Sequence, residues 1–435
     1  MSMSILKRNS LLLFKQIISA SAFRALALIA GFLTSMLLAR TLGAETLGFF
    51  ALAVAVSSFG NLLINIGLPA SLTKFIAQAQ ALELPNKTLG FINDSIRLRH
   101  IHGFLFIALF TLSLSFVTHW LGVDQHRKWL FWLLICIYLL AGLNGIYGGI
   151  LKGLEKATLG ISIDQCVVPL LNALFCGCIY VFFGLSLEKV IAIYGISTLI
   201  ALYLGKRWVK NHQPEGVSEN YTKGKLYKGS LPLFMSSSAL IIIGQTDVLM
   251  LGHFLDAASV GGYSIALKIS LLMNLLVVIS NAFLAPKIAA HESLMNYELI
   301  KRLIHRVISL HILISVFILG FFYLCLLPLL SLFGEAFLAY QDVAWILVAG
   351  QIVNFVGSAM GCLLAYTKFA FFQTGCLLLA AIINIVGNWF FIQWLGITGA
   401  AIATAGTLVF INLCFCGFTL GYFYLSTIKE NKTGC

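Results

Sequence analysis

Long apolar runs follow one another along almost the whole chain, each bounded by short clusters of charge, glycine or proline. A bilayer's hydrocarbon core is about 30 Å thick, and a helix needs about 20 apolar residues to cross it. The pattern predicts crossings at 16–39, 46–77, 101–121, 129–150, 160–184, 187–205, 231–254, 260–289, 306–333, 341–366, 370–395 and 399–425. The second run is too long for one straight crossing, and Gly67 and Pro69 are expected to break or bend it.

Composition strengthens this reading. Of 435 residues, 60% are hydrophobic and only 10% are charged, against about 25% charged in an average soluble domain. A surface so poor in polar groups faces lipid. The first apolar run is long enough to span, and no small-residue cleavage site follows a short apolar core, so no cleavable signal peptide is expected. Nine of the ten cysteines (Cys136, Cys166, Cys176, Cys178, Cys325, Cys362, Cys376, Cys414 and Cys416) lie within apolar runs and read as small hydrophobes. The Cys-x-Cys pairs at 176–178 and 414–416 have no nearby histidine and would face apolar neighbours, so no metal site is expected there; no cofactor is expected for the chain.

The net charge of +12 does not point to nucleic acid, because no basic groove is interleaved with aromatic residues. It reads as a topology signal. Alternating sides along the twelve crossings gives 22 of the 28 Lys and Arg to the side holding both termini, including Lys87, Arg97, Arg99, Lys206, Arg207, Lys301, Arg302 and Arg306. The other side holds Arg40, Arg127, Lys128 and Lys189, while Arg24 and Lys268 fall inside crossings. The positive-inside rule therefore places both termini in the cytoplasm.

The chain also repeats itself. Residues 31–77 align on 244–290 at an offset of 213, with identities at Gly31/Gly244, Leu38/Leu251, Leu42/Leu255, Ala44/Ala257, Gly48/Gly261, Ala53/Ala266, Ser57/Ser270, Asn61/Asn274 and Lys74/Lys287. A second block at offset 212 pairs Gly149/Gly361, Lys156/Lys368, Asn172/Asn384 and Gly184/Gly396. An even number of crossings separates the copies, so they are parallel repeats. The expected architecture is all-α: an N-terminal six-helix bundle over 1–210, a basic cytoplasmic linker over 211–229, and a C-terminal six-helix bundle over 230–435. Two matched bundles around a central cavity are the usual machinery of alternating access.

Three segments carry a family resemblance. Thr246-Asp247-Val248-Leu249-Met250-Leu251-Gly252 followed by Val260-Gly261-Gly262-Tyr263-Ser264-Ile265-Ala266 resembles the seventh and eighth helices of polysaccharide and oligosaccharide flippases. Leu38-Ala39-Arg40-Thr41-Leu42-Gly43 is its first-half counterpart, and Gly396-Ile397-Thr398-Gly399-Ala400 is similar to the start of the twelfth helix in that family. Gly262 departs from the pattern, which more commonly has a helix-forming residue between Gly and Tyr. The resemblance implies the multidrug/oligosaccharidyl-lipid/polysaccharide exporter superfamily and, within it, the O-antigen (Wzx-type) flippase branch. It further implies a bacterial inner-membrane protein that moves undecaprenyl-pyrophosphate-linked oligosaccharide, alongside a polysaccharide polymerase partner. A drug or metabolite/cation antiporter on the same fold, and a non-transporting partner in polysaccharide assembly, stay open as alternatives.

Ionisable groups at membrane depth are costly and mark function by default. Arg24, Asp247 and Lys268 are the candidates, with Asp164 nearer the cytoplasmic surface. On the resemblance, Arg24 and Lys268 would line a cationic cavity and attract the pyrophosphate, to which guanidinium and ammonium are suited. The competing reading is that Asp247 neutralises one of these cations, and a third is that Asp247 couples transport to a proton or Na⁺. Ser57, Asn61 and Asn65 share a helical face, and Ser270, Asn274, Ser280 and Asn281 form a similar set in the second copy. Asn61 and Asn274 either meet sugar hydroxyls or bond between helices. Lys74, Lys152, Lys156 and Lys287 sit at helix ends and read as snorkelling to lipid phosphates. No constellation of Ser, His and acid, no HExxH and no Walker loop is present, and the longest outer loop is about 119–128, so an enzyme is not expected.

Overall fold

The computed structural model describes residues 3–217, 223–294 and 297–433, and among them every regular element is helical. The helices are α1 (Met3–Asn65), α2 (Leu68–Ala81), α3 (Pro85–Trp120), α4 (Lys128–Ala141), α5 (Leu143–Gly153), α6 (Ala157–Ile161), α7 (Val167–Phe183), α8 (Leu187–His212), α9 (Lys223–Phe254), α10 (Ala257–Ser270), α11 (Asn274–Ser293), α12 (Tyr297–Ser331), α13 (Gln341–Ala365), α14 (Ala370–Leu395) and α15 (Ile397–Thr433). Lipid offers the backbone no hydrogen bonds, so apolar runs of this length close their bonds internally as helices.

Eleven described helical runs are long and apolar enough to cross a membrane, and the first, Ala22–Ala81, carries two of the predicted crossings. Those two are separated at Gly43, where φ is 80° and ψ 178° and a side chain would be strained. The expected break near Gly67 is present. Ile66 and Gly67 take φ of 44° and 74°, and Pro69 stands in the first turn of α2. The protein is an all-α multi-pass membrane protein built on two repeats, and matching positions in the copies behave alike. Gly184 and Gly396 both end helices with positive φ, of 64° and 58°, and Asn172 and Asn384 are both buried.

The chain divides into two compact units, Met1–Ile241 with Gly252–Gly261, and Ile242–Leu251 with Gly262–Cys435. In the first unit, Leu68, Leu72 and Ile76 of α2 pack on Ile92 of α3, on Ile146, Ile150 and Leu151 of α5, and on Ala201 of α8. Gly149 lets α5 close on α2, since a Cβ there would lie 2.3 Å from the Pro69 carbonyl oxygen. The same unit holds a reciprocal contact between equivalent small residues. A Cβ on Gly48 would lie 1.7 Å from the Ala257 carbonyl oxygen, and one on Gly261 would lie 2.0 Å from that of Ala44. Ala44-x-x-x-Gly48 and Ala257-x-x-x-Gly261 are thus two small-residue faces in backbone contact, the usual way for helices to associate in lipid. Exposed Asp256 starts α10, accepting the Ser259 amide at 2.7 Å, and this bond holds its carboxyl below the usual range.

In the second unit, Leu284 and Ile288 of α11 pack on Ile300 and Ile304 of α12 and on Ala359 and Leu363 of α13. α13 meets α15 along Gly350, Gly357 and Gly361, whose missing side chains make room for Ala405, Asn412 and Phe415. Gly262, the departure from the family pattern, has a local cause: a Cβ there would lie 2.0 Å from the Tyr340 ring.

Gly48→Ala is expected to lower the thermal unfolding midpoint of the detergent-purified protein, since overpacking of this kind costs about 1–3 kcal/mol. Gly31→Ala, which meets nothing within 4 Å, is the control and should leave the midpoint unchanged. Equal midpoints for the two variants, read by size-exclusion after heating, would remove the backbone contact from the account.

Candidate functional site

Each unit contains its own polar constellation. In the first, α6 passes into a π-helical turn, Ser162–Cys166, before α7 begins. Such a turn inserts one residue and re-aims its neighbours, and it recurs at functional sites. Here it presents Asp164 and Gln165. Arg24 is half-buried and donates from Nε to Gln165 Oε1 at 3.1 Å. Lys152 Nζ lies 2.9 Å from Asp164 Oδ2 in a partly buried ion pair. Gly145 and Gly148 on α5 leave the space that Asp164 occupies. Lys152 therefore does more than reach for lipid phosphate, because its ammonium is held by the carboxylate.

Asn61 lies in the same unit and is occupied at both ends of its amide. Nδ2 donates to the Tyr138 carbonyl at 3.1 Å, and Oδ1 accepts from Arg99 Nη2 at 2.8 Å. A Cβ on Gly142 would lie 1.9 Å from Asn61 Oδ1, so glycine is needed where the amide crosses. These are interhelical bonds, the alternative to sugar contact. Ser57 and Ser58 bond carbonyls four residues back in their own helix, and Asn65 Oδ1 is buried without a hydrogen-bond partner.

The second unit is organised around Asp247, which is 1% exposed. Its Oδ2 accepts from the Tyr263 hydroxyl at 2.5 Å and from Thr404 Oγ1 at 3.3 Å, and its Oδ1 accepts the Val248 amide at 2.8 Å. The tyrosine is fully buried and the threonine nearly so. Three donors on one buried carboxylate offset part of the large cost of burying it. These described partners are hydroxyls and an amide, not a cation. Lys268 is half-buried near the end of α10, and Asn274 is exposed at the start of α11. Between them the Leu271–Met273 stretch winds as a 3₁₀ turn. Ser280 Oγ lies 2.8 Å from Nε2 of buried His311, whose ring stacks on Phe355.

The structure thus places Arg24 and Asn61 in one unit, and Asp247, Lys268 and Asn274 in the other. Sequence reasoning missed the partners Gln165, Tyr263 and Thr404, and it missed a basic hollow of about 340 Å³ lined by Lys287, His291, Leu299, Arg302, Leu303 and Arg306. Lys287 and Arg302 lie fifteen positions apart in sequence, and only the packing of α11 on α12 reveals that their charges converge. Among the described residues no group of three or more His, Cys, Asp or Glu is placed to hold a metal.

The fold is shared with solved transporters. It is similar to a multidrug-resistance MATE family transporter of the MOP superfamily in an inward-facing conformation, with TM-score 0.71 and 16% identity over 94% of this chain and 96% of that one. It is similar to the lipid II flippase MurJ in an inward closed conformation, with TM-score 0.71 and 15% identity over 93% of this chain and 87% of that one. The Vibrio cholerae MATE transporter VcmN in its bent form matches with TM-score 0.62 and 14% identity over 93% and 95% of the two chains. No curated protein sequence matches the chain. Residues 13–292 do match a family, that of the polysaccharide biosynthesis protein. The match spans more than half of the chain, and the chain belongs to that family.

Proposed function

We propose that the protein is a flippase that moves undecaprenyl-pyrophosphate-linked oligosaccharide, an O-antigen repeat or a related surface-polysaccharide unit, across the bacterial inner membrane. It works by alternating access between two six-helix bundles, 1–210 and 230–435, joined by the basic segment 211–229, with both termini in the cytoplasm. Family membership in polysaccharide biosynthesis and a fold similar to that of a lipid II flippase support this reading.

The observation that carries it is Arg24. This guanidinium stands inside the first apolar run, and its described hydrogen bond goes to a neutral amide, Gln165. That bond orients the group without cancelling its charge, which leaves it fit to hold a phosphate through charge-assisted bonds. Lys268 supplies a second cation for the pyrophosphate, and exposed Asn274 offers its amide to sugar hydroxyls. Asp247, with Tyr263 and Thr404, is the ion-coupling element. Binding a proton there would convert the carboxylate from a triple acceptor into a donor, and its partners would have to rearrange.

The test uses the purified protein in vesicles with undecaprenyl-pyrophosphate-linked oligosaccharide in one leaflet. Arg24→Ala is expected to lower the initial flipping rate about tenfold or more, the size of a lost charge-assisted hydrogen bond, while Arg24→Lys retains an intermediate rate. A full rate in Arg24→Ala at normal protein level would remove the residue from the substrate path. Transport of a cationic drug but not of the lipid-linked sugar would reassign the protein to antiport. For the coupling role, Asp247→Asn should make flipping insensitive to an imposed proton or Na⁺ gradient to which the parent responds; an unaltered response would exclude Asp247 as the coupling group.

A further inference from the structure

One charged group in the first unit is used by none of these roles. Arg99 on α3 is 5% exposed. Its Nη2 donates to Asn61 Oδ1 at 2.8 Å and also to the Leu139 carbonyl, and these two bonds tie α3 to α1 and α4. The rest of the guanidinium is less well served. Nε is buried with no hydrogen-bond partner, and Nη1 lies 3.6 Å from the point where a Cβ on Gly103 would stand. Gly103 is part of the wall of a groove of about 240 Å³, lined by Arg99 together with His100, Phe104, Ile107, Leu140 and Leu143 among others. Among the described residues that line it there is no carboxylate. Phe104 is 75% exposed and Leu140 46%, so the groove opens on the outer, lipid-facing side of the helices.

Depth and direction follow from the sequence. Arg99 stands where α3 changes character: Lys87, Asp94 and Arg97 precede it, and an apolar stretch begins at Ile101. Arg99, Gly103 and Ile107 are four apart and share one helical face. The groove therefore starts at interface depth beside a cation with donors to spare and continues into hydrocarbon along apolar walls. A guanidinium so placed is costly unless an anion meets it. The complementary ligand carries an anionic, bidentate acceptor at one end and an alkyl chain at the other.

We propose that this groove binds an anionic phospholipid from the leaflet on the Lys- and Arg-rich side. The phosphate meets Arg99, with His100 at the rim, and one acyl chain lies over Gly103, Phe104 and Ile107. The bound lipid satisfies a guanidinium that already joins α3 to Asn61 and to the α4 carbonyl, and so braces those three helices at one point.

The experiment uses the full chain in detergent and a phosphatidylglycerol with a photoreactive group on one acyl chain, with the adduct mapped by peptide mass spectrometry. Label is expected on 103–107 and 139–143, reduced about fivefold or more in Arg99→Gln. Gly103→Leu, which fills the trough without removing any hydrogen bond, should reduce it equally and covers the case in which Arg99→Gln fails to fold. Diacylglycerol carrying the same photoreactive chain should label weakly. Undiminished labelling in Gly103→Leu, or equal labelling by diacylglycerol, would overturn the proposal. Loss of label to inorganic phosphate alone would reduce the groove to a phosphate site, and displacement by undecaprenyl phosphate in preference to phosphatidylglycerol would give it to the transported lipid instead; either result also overturns it.

Discussion

A backbone that crosses hydrocarbon finds no water to bond, and everything else in this fold is arranged around that restriction. Helices answer it wherever they run unbroken, so irregular backbone is confined to places with a local remedy. Gly43 turns the chain at φ 80° where a side chain would be strained. Ile66 and Gly67 turn it again, and Pro69 begins the next helix without a lost bond, because the first amides of a helix have no partner anyway. The π-helical turn Ser162–Cys166 and the 3₁₀ turn Leu271–Met273 shift the register without opening the helix. Polar side chains of interest cluster at these irregularities. Gln165 and Asp164 lie in the π turn, and Asn274 follows the 3₁₀ turn. A register shift is the inexpensive way to re-aim a side chain when the backbone cannot unfold to do so.

The same restriction sorts the polar residues. Many hydroxyls are satisfied within their own helix: Thr34, Thr41, Ser57, Ser58, Thr111 and Thr118 all bond a carbonyl four residues back. Such residues cost little and imply little. Some longer or charged groups reach another helix instead. Asn61 reaches the Tyr138 carbonyl, Arg24 reaches Gln165, and Lys152 reaches Asp164. Interhelical polar bonds in membrane proteins average well under the gas-phase strength of such contacts, about 0.6 kcal/mol in measured cycles. Their role here is to fix which faces meet more than to supply stability, which rests on close packing at glycine seams such as Gly350, Gly357 and Gly361 on α13.

Run length made the crossings legible in the sequence, and the Gly67–Pro69 break followed from backbone rules alone. Two crossings fuse into one helical run in the structure only because the chain turns at a single glycine, too short an interruption to register as a loop. The candidate ionisable residues were legible by depth, whereas their partners were not. Tyr263 was legible as part of the resemblance segment but not as a partner of Asp247, and a separation of 141 positions hides the convergence of Tyr263 and Thr404 on that acid. Arg99 was hidden differently. Counting charges by side of the membrane groups it with Arg97, two residues earlier, although a helix turns those two side chains well apart. The available signal was the face Arg99, Gly103, Ile107, which joins a cation to a gap and an alkyl wall.

The duplication sharpens what the second copy has gained. Its small-residue faces are retained on both sides, Ala44 and Gly48 answering Ala257 and Gly261 in reciprocal contact. At the same offset, however, Thr34 corresponds to Asp247 and Phe50 to Tyr263. These two differences belong together. Thr34 bonds its own helix and asks nothing of a neighbour, and Phe50 packs against the Tyr194 ring. An aspartate at the equivalent depth with a phenylalanine beside it would have lost its shortest hydrogen bond and faced an uncompensated desolvation cost. The single oxygen that distinguishes tyrosine from phenylalanine is the atom that meets the carboxylate. An acid and its hydroxyl donor, present in one copy and absent from the other, make a matched pair that packing alone does not require. That matched asymmetry within a duplicated frame is the strongest reason to read Asp247 as chemistry in place of structure.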